Sequence, residues 1–261
     1  MLFSKSEAES DGKDAVFSSA FDRALGGADD LDTVLYGAAA RPPVETGAGA
    51  AHFLLFSNTD LWRHGGFAYG GVLWSPHGVD HEGLVVKLIF GGGIYRYVSG
   101  ALGNAEVIGR QLSAAILPGW RFRRGGLIVT LFAGPEFQSH QLSPDDVSAG
   151  LRGRYFGARG AFELWYEPTA MTMIAADASI STIGVSYSAR LAGGIRLLEL
   201  FYGGPEVQAF ALDTNYRQYR AGFHVTGLRT GDFEWSAGLG WALDSDNRNS
   251  AYGKLGLLTR R

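Results

Sequence analysis

Residues 217–228 read RQYRAGFHVTGL, and the chain continues as RTGD (229–232), FEWSAGLGWAL (233–243), DSDNRN (244–249) and SAYGKLGLL (250–258). In the first segment Tyr219, Ala221, Phe223 and Val225 share one parity, and Gln218, Arg220, His224 and Thr226 share the other. In the third, Phe233, Trp235, Ala237, Leu239 and Trp241 alternate with Glu234, Ser236, Gly238 and Gly240. Successive side chains of a strand point to opposite faces. These segments therefore read as strands with an aromatic, apolar face and a face of charge and glycine. The wall of a membrane β-barrel needs that arrangement, apolar toward lipid and polar toward a lumen. A soluble sandwich shows the same alternation with its apolar face turned inward, so the pattern alone leaves both open.

Composition narrows the choice. The 261 residues suffice for one large barrel or two small domains. Glycine occurs 38 times, against an ordinary share of about 7%, and it is spread through the strand-like segments. Glycine there fits kinks and the curvature of a barrel wall. Cysteine is absent, which excludes disulfides and thiolate-bound metals and suits passage through an oxidising compartment. A formal net charge of -3 offers no nucleic-acid surface. No apolar run approaches the roughly 20 residues of a membrane helix, so a membrane reading is a barrel reading.

Turn chemistry divides residues 51–261 into about twelve strands, with ten as the alternative. They begin near His52–Trp62 and FAYGGVLW and end with the three segments quoted above. Short turns at RRGG, EPT (167–169), the Leu-Glu-Leu turn and RTGD alternate with longer polar connections at SPDDVSAG, STIG, ALDTN and DSDNRN. Short turns on one rim and polar loops on the other describe a single up-and-down antiparallel barrel of the outer-membrane type, with both termini on the short-turn rim. Residues 1–50 are polar and acidic, then rich in Ala, Pro and Gly, without the pattern of a signal peptide. They read as a disordered extension, or as a mis-assigned or processed leader.

A weak repeat lies within the strands. Gly134-Pro135-Glu136-Phe137-Gln138 recurs as Gly204-Pro205-Glu206-Val207-Gln208. Proline has no ladder donor, so each copy predicts a bulge or kink at an equivalent barrel position. Glu136, Gln138, Glu206 and Gln208 then mark either a repeated structural corner or a pair of inward carboxylates.

The lumen-facing polar candidates are Tyr155, Arg159, Glu163, Arg190, Arg220, His224 and Glu234, with Lys254 less clearly placed. In a narrow barrel such charges pair or stay hydrated. They form either a salt-bridge plug or a small polar conduit, and Tyr155 beside Arg159 offers a ring on which a sugar could stack. Catalytic and metal sites are weakly supported. His77, Asp80, His81 and Glu82 lie in a turn-like loop rather than on a helix. His140 has Ser139 and Ser143 nearby without catalytic spacing, and FGGGIY lacks the context of a phosphate loop. No catalytic residue, metal or cofactor is expected.

The segments LSPDD, LRGRYFGARGAFELWYEP, STIGVSYSARLAGGIRL, GPEVQAF, NYRQYRAGFHVTGL and DFEWSAGLGWA, together with TDLWRHGGFAYGGVLWSP, resemble the bacterial cellulose biosynthesis protein BcsS family over roughly residues 50–261. The resemblance implies a non-enzymatic outer-membrane barrel accessory to cellulose or exopolysaccharide secretion, as conduit, anchor or scaffold. Its implied partners are outer-membrane lipid, a cellulose or glucan chain, and synthase or secretion subunits. A lipid- or polysaccharide-modifying hydrolase of the outer membrane and a soluble periplasmic binding barrel are the alternatives. The chain ends LGLLTRR, without a terminal aromatic.

Overall fold

The computed structural model describes residues 50–211, 216–245 and 248–261; of the 1–50 extension expected from sequence, all but Ala50 lies outside them. Alternation becomes twelve strands: β1 (Phe53–Trp62), β2 (Gly65–Trp74), β3 (Gly83–Ser99), β4 (Ala105–Arg124), β5 (Leu127–Ser143), β6 (Gly153–Thr169), β7 (Thr172–Ser181), β8 (Tyr187–Leu197), β9 (Phe201–Ala211), β10 (Arg217–Thr230), β11 (Phe233–Asp244) and β12 (Asn249–Arg260). Each pairs antiparallel with its sequence neighbour, and β1 pairs with β12 to close the barrel. Closure removes the sheet edges that an open sheet would expose.

The two rims differ. The rim that carries both chain ends of the barrel has two-residue turns after β4, β6 and β10 and a three-residue turn after β8. Its one long connection is 75–82. The distal rim carries longer loops, chiefly 100–104, 144–152 and 182–186. The Glu-Pro-Thr turn expected from sequence is displaced. Glu167, Pro168 and Thr169 still belong to β6, and the turn is Ala170–Met171, where Thr169 pairs with Thr172 after a register shift. Pro168 cannot donate to the ladder, which accounts for the irregular pairing just before the turn.

The turn after β8 holds Leu198 and Glu199 at φ of 50° and 58°. A β-branch-free side chain tolerates this region, but it costs about 1–2 kcal/mol per non-glycine residue. Replacing Leu198-Glu199 by Asn-Gly is therefore expected to stabilise the barrel by about 1–2 kcal/mol. Urea unfolding of the detergent-refolded chain measures this, and an unchanged midpoint would contradict it.

The outward face is apolar. On β4 it runs from Leu112 to Phe122 through Ile116 and Trp120, all exposed. On β3 it runs from Leu84 to Ile94, on β5 from Leu127 to Phe137, and on β6 from Phe156 to Tyr166. Each run is ten residue steps, and at about 3.4 Å per step and about 40° tilt it stands roughly 26 Å tall. That matches the lipid-facing band of a transmembrane barrel, about 25 Å.

The glycine content is explained by the inward face. Phe56, Phe67, Tyr95 and Phe132 each stand directly across the ladder from a glycine: Gly71, Gly93, Gly109 and Gly119. At each of these glycines an added Cβ would run into the facing ring. The rings lie down over the neighbouring strand and fill the interior without widening the barrel.

The repeated Gly-Pro-Glu segment does not produce the expected bulge. Between β4 and β5 the ladder lapses from Ala115–Glu136 to Gly119–Phe132 and resumes in the same register. Between β8 and β9 it lapses from Ala192–Glu206 to Ile195–Gly203, again without slipping. Pro135 and Pro205 offer no N–H to the carbonyl opposite, so that carbonyl is free to turn. A Cβ on Gly134 would collide with the Ile116 carbonyl oxygen, and one on Gly204 with that of Gly193. Glycine before proline makes room for the turned carbonyl, and the register survives.

Loop residues reach into both ends of the interior. On the terminal rim, loop 75–82 folds inward. Val79 is fully buried among Leu54, Leu73, Val85 and Leu117, and its N–H donates to the Ala51 carbonyl at 2.8 Å. On the distal rim Leu151 and Ile183 are buried from their loops.

Candidate functional site

The interior charges come from strands whose outer face is committed to the apolar band, so alternation turns them inward. They assemble into separate clusters. Glu136 on β5 accepts hydrogen bonds from Arg159 Nη2 at 2.6 Å, Ser181 Oγ at 2.6 Å and Gln138 Nε2 at 2.9 Å. Arg159 Nη1 donates onward to Ser179 Oγ at 3.1 Å. Glu206 on β9 accepts from Lys254 Nζ at 2.6 Å, Arg190 Nε at 3.0 Å, Tyr252 Oη at 3.0 Å and Gln208 Nε2 at 3.0 Å. Arg190 also reaches Asp177 at 3.5 Å.

The two copies of the repeat thus build the same unit. In each, the glutamate takes one bond from the glutamine two residues on and another from an arginine on the adjoining strand. Glu136 and Glu206 are both inward and buried, the first paired with Arg159 and the second with Arg190 and Lys254. The glycines around the second unit are its bed: a Cβ at Gly238 would meet Lys254 and Glu206, and one at Gly222 would meet the Tyr252 hydroxyl.

Nearer the distal rim, Arg220 donates to Asp60 Oδ2 and to Gln218 Oε1, each at 2.6 Å. Its guanidinium lies 4.8 Å from the Phe210 ring centre, 4.9 Å from Tyr252 and 5.2 Å from Trp62. Rings at that range hold a desolvated cation through their quadrupoles. Glu163 pairs with Lys87, whose ammonium stands 4.9 Å from the Phe132 ring centre. Glu234 faces Arg229 and Arg260, both at 3.4 Å. Arg260 also faces Asp80 of the inward-folded loop at 3.7 Å.

His224 is buried, and with Asn58, Glu163, Arg190 and Lys254 it lines an interior cavity of about 60 Å³. Asn58 Oδ1 and Glu163 Oε2 have no protein partner. Such atoms are where buried waters bind, and the cavity has room for a few of them. Ligand pockets are typically about 300–1,000 Å³.

Tyr155 is half-buried on the inward face. Its hydroxyl accepts the Arg152 N–H at 2.8 Å, and its ring meets His140 edge-on at 6.1 Å. His140 Nε2 is 3.0 Å from Gln138 Oε1, while Ser139 and Ser143 fall on the opposite parity of β5. In loop 75–82, Arg123 holds two of the candidate residues: its Nη1 donates to the Asp80 carbonyl at 2.6 Å and its N–H to Glu82 at 3.3 Å. Among the described residues no group of His, Asp and Glu is arranged to hold a metal ion.

Several members of these clusters escaped the sequence reading, notably Lys87, Asp60, Asp177 and Tyr252. Lys87 lies in VVKLI with apolar neighbours on both parities, Val85 and Ile89 inward and Val86 and Leu88 outward. Where the lumen itself is greasy, two-residue alternation fails as a signal. A lone lysine in an apolar strand is the cue that remains.

At the distal rim Asp146 fastens loop 144–152. Ser148 donates to it from Oγ at 2.6 Å and from its N–H at 2.9 Å, and Tyr97 Oη donates at 3.0 Å. These bonds, led by those from Ser148, push its carboxyl down to about 2. A depressed carboxylate stabilises the folded loop above its ordinary value near 3.8, and that contribution is lost as the pH falls through about 2. Hydrogen exchange in 144–152 is expected to stay slow from neutral pH to pH 4. In Asp146→Asn it is expected to be fast throughout; equal protection in the variant would contradict the assignment.

In fold, the barrel is similar to an outer membrane channel of the COG4313 group from Pseudomonas putida F1, at 11% identity and a TM-score of 0.51 over 84% of this chain and all of that one. It is also similar to a deletion mutant of TodX, a monoaromatic hydrocarbon channel, at 9% identity and a TM-score of 0.50 over 82% of this chain and 91% of that one. Both likenesses establish the fold class, a closed outer-membrane-type barrel, and nothing of what passes through it. None of the curated proteins compared matches the chain in sequence. Residues 54–261 match the family described as cellulose biosynthesis protein BcsS, which spans all twelve strands but for the first residue of β1, and the chain therefore belongs to the cellulose biosynthesis protein BcsS family.

Proposed function

We propose that the chain is a non-enzymatic barrel of the outer membrane that serves cellulose biosynthesis as an anchor or scaffold, with its lumen closed. One observation carries this reading: the inward charges are consumed by partners within the wall. Arg159, Glu163, Arg190, Arg220 and Glu234 each face an opposite charge inside the barrel. Around them aromatic and aliphatic side chains fill the space, and loop 75–82 covers the terminal rim. Buried ion pairs of this kind are costly to break and give a lumen no free polar track for a sugar chain. The terminal rim, with its short turns, then faces the periplasm and the loops face outward.

The absence of cysteine from the sequence permits a direct test. In an Asp80→Cys/Arg260→Cys variant, a short bismaleimide joins loop 75–82 to the wall in living cells. An anchor with a closed lumen is expected to leave surface cellulose unchanged on cross-linking, relative to the same variant untreated. Loss of surface cellulose on cross-linking alone would show that the lumen has to open, and the conduit reading would replace this one.

A further inference from the structure

We infer that the outer face of β3–β6 carries a binding patch for a phosphorylated glycolipid headgroup, built on Arg110 and Arg154. This rests on the outer-membrane placement proposed above, with the distal rim facing outward. Arg110 and Arg154 have the outward parity of β4 and β6 and are exposed. Among the described residues neither is paired with a carboxylate or any other partner, unlike the interior arginines.

Their height is set by register. Arg110 follows the top of the β4 apolar run at Leu112, and Arg154 follows the top of the β6 run at Phe156. Arg96 follows Ile94 on β3 in the same way, and is lightly held by Glu106 at 3.7 Å. Arg110 pairs with Gln141, and Arg154 with Ser139, two residues lower on the strand between them. In a barrel of tilted strands that offset keeps the arginines level with the membrane surface. They therefore sit at one edge of the band, about where headgroups begin, with Leu112 and Phe156 beneath them in the acyl region.

At this edge, among the described residues, arginine also follows Tyr219 on β10, as Arg217, and lies just beyond Leu61 of β1, as Arg63, but only on β4 and β6 do two outward arginines flank one strand. Guanidiniums without a carboxylate partner at headgroup level are suited to an anion, and two forks flanking a serine and a glutamine suit phosphate oxygens together with sugar hydroxyls. A phosphorylated saccharide bearing several acyl chains supplies all of these at the outer leaflet. A phosphodiester phospholipid such as phosphatidylglycerol supplies one charge and two glycerol hydroxyls, without a second phosphate or a sugar ring.

The test uses the full chain in phosphatidylcholine nanodiscs containing bisphosphorylated lipid A, the same lipid A after dephosphorylation, or phosphatidylglycerol, with bound lipid read by native mass spectrometry. The wild type is expected to retain bisphosphorylated lipid A about tenfold over the dephosphorylated form, the effect of roughly one charge-assisted contact. In Arg110→Gln/Arg154→Gln the preference is expected to vanish, while heat-modifiable migration stays normal and shows that the barrel is folded. Equal retention of both lipids by the wild type, or a preserved preference in the variant, would overturn the inference. Retention of phosphatidylglycerol as strong as that of lipid A would overturn the glycolipid assignment. Labelling of Val147→Cys on intact cells checks orientation separately, since Val147 is exposed on loop 144–152. The cellulose assay above is independent of all these outcomes.

Discussion

Glu206→Leu is expected to destabilise the barrel by about 3–5 kcal/mol. Glu206 is 2% exposed and answers two cations, Lys254 at 2.6 Å and Arg190 at 3.0 Å. Leucine would leave both facing each other across a glycine-lined wall with only Asp177 to share, at 3.5 Å from Arg190. Stranding a buried charge is costly because the solvation lost on folding is no longer offset by a partner. The size of the loss belongs to the stranded cations rather than to the carboxylate. Glu206→Leu/Lys254→Met is therefore expected to recover a large part of it, since a single cation then remains beside Asp177. Urea unfolding of the refolded chain, followed by tryptophan fluorescence, measures both variants. A Glu206→Leu midpoint equal to wild type would mean that the cluster is solvated rather than sealed.

Gly109→Val is expected to be nearly as damaging, through shape instead of charge. Tyr95 is the cross-strand partner of Gly109 and lies with its ring where a Cβ would stand. The ring is buried and stacks at 6.3 Å on Tyr97, so it has no free space into which to retreat. Overpacking a tight interior costs about 1–3 kcal/mol, and valine here opposes a whole ring. Tyr95→Ala in the same chain removes the obstacle, and the double variant is expected to be more stable than Gly109→Val alone. Coupling of that sign between directly facing residues is what a double-mutant cycle detects. Simple additivity would show that the ring does not rest on the glycine.

How far the fold could be read from sequence depended on which face carried the information. On β10 and β11 the apolar parity faces outward and the polar parity faces the lumen, so Phe233 and Trp241 separate cleanly from Glu234 and Arg220. The turn chemistry located the strands because Gly125 and Gly231 hold tight turns at positive φ. Three features were not legible. Lys87 was hidden because the lumen beside β3 is itself apolar. The Gly-Pro-Glu repeat suggested a bulge because the missing donor of proline is visible in sequence, whereas the turned carbonyl that fits over the preceding glycine is a matter of neighbouring-strand geometry. The partners of the interior charges were beyond reach as well. Asp60 and Arg220 are 160 residues apart in sequence, and only the closure of the barrel through β12 brings them together.

The clusters also show why the wall needs its glycines. An interior that holds Glu206, Lys254, Tyr252 and Arg190 on one side of the barrel has to be thin-walled there, and Gly222 and Gly238 supply the space. On the other side Phe56, Phe67, Tyr95 and Phe132 lie over glycines to the same end. Glycine frequency in this chain is thus a packing requirement of a filled lumen more than a requirement of curvature.

The most direct test of a closed barrel is electrical. The refolded full chain, inserted into a planar lipid bilayer, is expected to show no sustained open-channel current across a wide voltage range at neutral pH, with insertion verified by heat-modifiable migration of the same sample. Stable, discrete conductance steps from wild-type protein would contradict a lumen sealed by its own ion pairs.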